Sequence, residues 1–265
     1  MSKTTTILPD AQRIEKILRD CGAMLLQCLA TGKTEGEWSG EQFKARADDL
    51  AHHFLVTALS VAFPGIPVVS EEDVASIGAC AGEYFIIDPI DGTASFAHGF
   101  NGWVTQVAYI SEEQPVMAGI YAPASEEYFS AISKQGAFCN GRSLSVDRSS
   151  EPAKSLIDNY PQPRGITQEL MQALHIPKYL ESGSISLKIC RVADRSADLF
   201  VKDMSPRDWD VAAPMLLLAE AKGILMDIKG DPIVLGKPGR RHHGLIATSS
   251  PVVAQQVRDW MASCK

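Results

Sequence analysis

Phe85-Ile86-Ile87-Asp88-Pro89-Ile90-Asp91-Gly92-Thr93 joins an apolar run, two carboxylates three positions apart and a Gly-Thr pair able to open a helix. The run from Tyr84 to Ile87 reads as a buried strand. Pro89 fixes its own backbone angle and restricts Asp88, so both carboxylates can be held in one geometry before any ligand arrives. Gly92 allows the backbone to approach a phosphate closely, and the free N–H groups of a helix starting here would bind phosphate oxygens. Two carboxylates this close repel unless neutralised, and hard oxygen ligands select Mg²⁺, Mn²⁺ or Ca²⁺ over softer metals. As a bare string, Asp-Pro-x-Asp-Gly reads equally well as an ordinary capped turn, because Asp, Pro and Gly are turn formers.

Two further acidic segments shift that balance. Ser70-Glu71-Glu72 follows the apolar Pro67-Val68-Val69, and Trp209-Asp210 opens a strongly apolar helix running to Ala221. Asp210 by itself is a favoured residue for a helix first turn. Pro214, lacking an N–H, leaves the Asp210 carbonyl without its usual helical partner, which marks a special geometry there.

Working outward, Ile14, Ile17, Leu18, Met24, Leu25 and Leu29 recur at helical spacing from Asp10 to about Thr31. Gly36 to Gly40 reads as a loop, and Phe43 to Phe63 returns to helical spacing until Pro64-Gly65. Pro67 to Val69, Tyr84 to Ile87, Val104 to Ile110, Val116 to Tyr121 and Tyr128 to Ile132 read as successive strands. The Pro-rich stretch Tyr160 to Gly165 is the best boundary, dividing the chain near 1–155 and 156–265. Beyond it come Ile185 to Ala193, the Trp209 helix, strands at Ile224 to Met226 and Leu245 to Ala247, and a last helix from Pro251 to about Met261. The whole reads as a mixed α/β protein.

Composition fits an enzyme-sized globular fold: 265 residues, 45% hydrophobic and 22% charged. A net charge of −7 argues against nucleic acid or an anionic membrane as partner, so an anionic substrate must meet local positive charge, which bound cations would supply. Cys21, Cys28, Cys80, Cys139, Cys190 and Cys264 form no CxxC pair and no zinc-ligand spacing, as expected of reduced thiols in a cytoplasm. The polar start at Met1 lacks a signal-peptide core, and the longest apolar run is too short to cross a bilayer, so neither export nor anchoring is expected.

Asp88-Pro89-Ile90-Asp91-Gly92-Thr93 followed by Phe96, together with Trp209-Asp210-Val211-Ala212-Ala213, resembles the two signatures of the inositol-monophosphatase superfamily. The similarity extends through His98-Gly99-Phe100, Gly136 to Gly141, Gly183-Ser184 and Ala219 to Asp227, in order, over roughly residues 40 to 250. It implies a layered α/β/α/β/α fold and metal-assisted hydrolysis of a small phosphate monoester. By the same resemblance Glu71, Asp88, the carbonyl of Ile90, Asp91 and Asp210 would hold two or three Mg²⁺, with Mn²⁺ as a substitute. Asp48 and Thr93, with Glu71, would orient and deprotonate the attacking water, and the N–H groups of Gly92 and Thr93 would hold the phosphate. A homodimer inhibited by lithium and by high Mg²⁺ is likewise implied.

The substrate is less defined. His98-Gly99-Phe100 and Gly136 to Gly141 look like inositol monophosphatases, whereas Ser186-Leu187-Lys188-Ile189-Cys190 looks like 3'(2'),5'-bisphosphate nucleotidases. Where inositol phosphatases usually carry a Glu that contacts the sugar ring, this chain has Lys202-Asp203. Ser184, Lys188 and Asp203 are therefore the candidate substrate contacts, with Lys188 either meeting a second phosphate or forming a structural ion pair. A non-catalytic phosphate-binding relative is the reading from another class, and a two-metal nuclease lacks a basic or aromatic track. Lys33 is a further candidate near the phosphate. His52-His53 and the Gly239-Arg240-Arg241-His242-His243 cluster read first as solvated surface, since adjacent helical side chains point apart.

Overall fold

Helix α1 (Ala11–Ala30) begins where Asp10 accepts hydrogen bonds from the Gln12 and Arg13 N–H groups, satisfying donors that have no partner in the first turn. It packs beside α2 (Arg46–Ala62) through Ile14, Leu18, Cys21 and Leu25 against Ala51, Leu55 and Leu59. The computed structural model describes residues 8–31, 36–39, 42–79, 82–146, 151–236 and 238–263. Between these helices the stretch read as loop and helix start forms a hairpin instead, β1 (Gly36–Ser39) against β2 (Gln42–Ala45), with Trp38 opposite Phe43. The apolar spacing from Phe43 fits a helix equally well, but cross-strand pairing overrides it until Arg46.

The main sheet has seven strands in sequence order: β3 (Val68–Ser70), β4 (Tyr84–Asp91), β5 (Val104–Ser111), β6 (Gln114–Ala122), β7 (Glu127–Ile132), β8 (Gly136–Cys139) and β9 (Arg142–Leu144). Only β3 and β4 pair in parallel; the other neighbours are antiparallel. Both faces of its centre are buried, so the strands read as apolar runs rather than as alternation. Phe85, Ile87, Val107 and Tyr109 face α1 and α2, while Tyr84, Ile86, Ala108 and Ile110 face the other way.

The second sheet contains β10 (Ser155–Asp158), β11 (Lys178–Glu181), β12 (Leu199–Lys202), β13 (Ile224–Met226) and β14 (Leu245–Thr248), ordered β11-β10-β12-β14-β13. Here β10 runs parallel to both β11 and β12. Side-chain alternation again divides two cores. Ile157, Phe200, Leu245 and Ala247 pack on α5 (Ile185–Ala193) and α6 (Asp208–Glu220), whereas Leu156, Leu199, Val201 and Ile246 pack on α4 (Ile166–Ala173) and α7 (Pro251–Ser263).

The layers are thus α1/α2, the seven-stranded sheet, α5/α6, the five-stranded sheet, and α4/α7, the expected α/β/α/β/α arrangement. α6 is buried over most of its surface because it lies between two sheets: Trp209, Val211, Ala212, Ala213, Leu216, Leu217 and Leu218 are all inside. Cys21, Cys28, Cys139 and Cys190 are free thiols. Among the described residues no helix is long and apolar enough to cross a membrane.

Candidate active site

In a regular strand, side chains three apart point to opposite faces, so Asp88 and Asp91 should not meet. The structure resolves this at β4. Asp88 pairs with Gln106 and Asp91 with Val104, so three steps along β4 match two along β5. The extra residue is a bulge, which falls across Pro89, where a missing N–H would otherwise break the ladder. Both carboxylates consequently arrive on one side. Gly92 then turns the chain at φ 94° and opens the short helix α3 (Thr93–Ala97).

Asp88, Asp91 and Asp210 converge, each offering an oxygen within 4.8 Å of the others. Asp88 is buried and its Oδ1 has no hydrogen-bond partner. Burial first, then the charges of Glu71, Asp91, Asp210 and Asp48, push the Asp88 carboxyl well above the ordinary range. Asp210 is pushed up as well, by burial and by Glu71 and Asp91, against the pull of Arg207. Mutually repelling carboxylates with an orphaned oxygen are what a bound cation would relieve, and the all-oxygen donor set suits a hard divalent ion. The cluster is compatible with metal binding.

The next layer of contacts fixes these carboxylates. Asp91 sits at the N-terminus of α5 and accepts from the Ser184 hydroxyl at 2.7 Å, the Ile185 N–H at 3.2 Å and the Ser186 N–H at 2.7 Å. Free N–H groups and the positive end of a helix favour an anion there. Asp210 accepts from the Arg207 N–H at 2.6 Å as part of a capping box. Its backbone carbonyl, deprived of a partner by Pro214, accepts from the Ser186 hydroxyl at 3.0 Å. The Thr93 hydroxyl donates to the Ile90 carbonyl at 3.0 Å, and Gln106 ties β5 to α6 by donating to the Trp209 carbonyl at 2.9 Å.

Glycines let the two halves meet. A Cβ on Gly183 would lie 2.0 Å from Ser95 Oγ and 2.5 Å from the Gly102 carbonyl oxygen, and one on Gly102 would lie 2.3 Å from the Gly183 nitrogen. Gly183→Ala is therefore expected to cost about 1–3 kcal/mol by overpacking and to pull Ser184 away from Asp91. A thermal melt and a Mg²⁺ titration check both; an unchanged melting temperature would mean that the approach is slack.

The carboxylates border a cavity of about 340 Å³ that Asp48, Glu71, Ile90, Gly92, Thr93, Lys188 and Lys202 also line. Every candidate carried by the acidic signatures thus reaches one cavity. The substrate candidates separate. Lys188 lines the cavity but is buried, and its Nζ donates to the carbonyls of Ser182 at 3.3 Å and Gly183 at 3.0 Å. Burial lowers its pKa to about 8. Ser184 is buried as the cap of α5, and Asp203 is exposed and not among the lining residues, where its neighbour Lys202 stands instead.

Sequence reasoning missed Asn159, Tyr160 and Met204 in that lining. Asn159 and Tyr160 directly precede the Pro-rich stretch, but nothing local says that β10 delivers them here. His242 is not surface: it is buried and bonded to Asp208 at 2.8 Å, locking its loop to the start of α6. His52 bonds the Ser70 hydroxyl at 2.8 Å, beside Glu71. Lys33 lies outside the described residues. A roomier apolar groove of about 620 Å³ beside Ile17, Phe54 and Val61 carries none of the carboxylates above.

The model of the inositol monophosphatase family matches residues 11–260. Inositol monophosphatase 1 of Bos taurus is 29% identical over 227 residues, covering 79% of this chain and 78% of the relative. Inositol monophosphatase 2 of Solanum lycopersicum is 32% identical over 187 residues, covering 65% and 69%. Among solved structures, the extragenic suppressor protein suhB of Bartonella henselae superposes with a TM-score of 0.81 at 25% identity, covering 94% of this chain and 97% of that one. Inositol monophosphatase II of Staphylococcus aureus, at 18% identity and a TM-score of 0.76, covers 94% and 93% and shares the fold.

Proposed function

We propose that this chain, which belongs to the inositol monophosphatase family, hydrolyses the phosphate ester of a small metabolite with Mg²⁺ held by its carboxylate cluster. The observation that carries the reading is the buried, unpartnered Oδ1 of Asp88 among three converging carboxylates. Glu71, Asp88, the Ile90 carbonyl, Asp91 and Asp210 would hold two or three ions, and Mn²⁺ would substitute. Bound there, the cations would acidify water, neutralise phosphoryl oxygens and stabilise the leaving alkoxide.

The remaining steps belong to the chain. Thr93 spends its proton on the Ile90 carbonyl, so its hydroxyl keeps lone pairs to accept from the attacking water. Asp48, buried on α2 and lining the same cavity, together with Glu71, would orient that water and take its proton. The Gly92 and Thr93 N–H groups, at the turn that starts α3, would hold the phosphate. Positioning and charge stabilisation supply most of phosphoryl-transfer catalysis.

The names of the curated relatives favour an inositol phosphate as the first substrate to test. Phosphate release should be measured against Mg²⁺ on inositol 1-phosphate, adenosine 3',5'-bisphosphate, fructose 1,6-bisphosphate and histidinol phosphate. Release from at least one, lost on chelation and restored by Mg²⁺, is the expected result. Ligand binding without release at any Mg²⁺ concentration would overturn the reading in favour of a non-catalytic relative. A cytoplasmic homodimer sensitive to lithium goes with the same proposal, and a monomer on size exclusion or full activity in millimolar lithium would remove those parts of it.

A further inference from the structure

Glu71 comes from the edge of the seven-stranded sheet. β3 is three residues long and has one neighbour, β4, with which it runs parallel and in register, Ser70 beside Ile87. The next residue, Glu71, therefore continues beside Asp88, and of the charges around Asp88 it acts most strongly on that carboxyl. The ladder ends at Ser70. An edge strand is paired on one side only, so past its last pair the course of Glu71 is set by contacts outside the sheet.

Those contacts gather on Ser70. Its N–H donates to the Ser76 hydroxyl at 3.4 Å, and its carbonyl accepts from the Asp73 N–H at 3.2 Å, folding the chain back just after Glu71. Its hydroxyl is buried, accepts from the Glu72 N–H at 3.3 Å and bonds His52 Nδ1 at 2.8 Å. The two residues flanking Glu71 are thus joined through one oxygen, and the shorter of its two bonds comes from α2. His52 stands four residues after Asp48, on the same face of that helix. The helix that carries the proposed base therefore also grips the segment that carries Glu71. Burial first, then His53, hold the His52 imidazole below its ordinary range, so at neutral pH it is uncharged and one ring nitrogen can accept the Ser70 proton. His53 lines the groove on the outer side of the helices instead, so the surface reading of the pair holds for His53 alone.

We propose that His52 is a positioning residue: through the Ser70 hydroxyl it holds the end of β3, so that the Glu71 carboxylate stands beside Asp88 before a cation arrives. Its loss lowers the affinity for Mg²⁺ and leaves the chemistry intact, because the carboxylates themselves remain. The role rests on the reading of Glu71 as a Mg²⁺ ligand.

Calorimetric titration of the full chain with Mg²⁺ near neutral pH measures this without any turnover. His52→Ala is expected to weaken Mg²⁺ binding about tenfold, the lower end of what residues behind metal ligands contribute. The Mg²⁺ concentration for half-maximal phosphate release should rise by the same factor, while kcat at saturating Mg²⁺ stays native. His52→Asn places a polar atom where Nδ1 stands and should restore most of the affinity; His52→Gln places one where Nε2 stands and should not. These two variants match in polarity, so their comparison decides the role even if His52→Ala fails to fold. A lower melting temperature in His52→Ala with native Mg²⁺ affinity, or equal affinities in the Asn and Gln variants, would overturn the positioning role. Glu71→Gln in the same titration separates the two ideas: weakened binding keeps Glu71 as a ligand, and native binding removes both the ligand and its positioning. Binding of Mg²⁺ that depends on His52, with no phosphate release from any ester, would support the positioning and count against the phosphatase reading alone.

Discussion

Asp91→Asn is expected to lower Mg²⁺-dependent phosphate release about a thousandfold, the effect of losing several kcal/mol of charge stabilisation at 1.36 kcal/mol per tenfold. The substitution keeps the shape of the side chain and removes its charge. It also changes the hydrogen bonding. The carboxylate accepts from Ser184, Ile185 and Ser186, and an amide would turn an NH₂ group towards at least one of those donors. The N-terminus of α5 should loosen at a cost of about 1–3 kcal/mol, which lowers the melting temperature by roughly 5 °C for a chain of this size. Far-UV circular dichroism should remain native, since the strand core around Phe85, Ile86 and Ile87 is untouched. A variant that melts lower yet releases phosphate at the native rate would confine Asp91 to capping α5.

Asp88→Asn should act on stability in the opposite direction while also abolishing phosphate release. Asp88 has an unpartnered buried oxygen and is surrounded by Glu71, Asp91, Asp210 and Asp48. Ionised and without a cation, it destabilises the fold. An amide there carries no charge and can donate to a neighbouring carboxylate. In a chelator the variant should therefore melt about 5 °C above the native chain, because an unsatisfied buried group costs about 1–3 kcal/mol. Adding Mg²⁺ should reverse the ranking: a ligand that binds only the folded state raises the native melting temperature by mass action, and the variant lacks a ligand oxygen. Differential scanning calorimetry at fixed pH, with and without Mg²⁺, checks both arms. A variant less stable than the native chain in chelator, with an equal response to Mg²⁺, would show that Asp88 is a structural residue.

Much of the site was legible because its residues lie at the ends of strongly patterned elements. The apolar run before Asp88, the three-residue spacing to Asp91 and the Gly-Thr after it can be read without coordinates. So can the missing donor at Pro214, although its remedy, the Ser186 hydroxyl, comes from another helix. The hairpin Gly36–Ser39 with Gln42–Ala45 was hidden because one apolar spacing fits both a strand and a helix start. Short strands such as Ser155–Asp158 and Leu199–Lys202 were missed because three or four residues carry too little periodicity.

The sequence by itself determined the mixed α/β class, the long helices, the central strands and the acidic set, since hydrophobic period and turn chemistry are local. Tertiary structure alone decided which side chains meet. The β4 bulge, which brings Asp88 and Asp91 to one side, depends on pairing with β5. The place of Lys202, rather than Asp203, in the cavity depends on where β12 ends beside β10. Register between strands and contact across sheets are set by long-range pairing, and nothing within a short window of sequence encodes them.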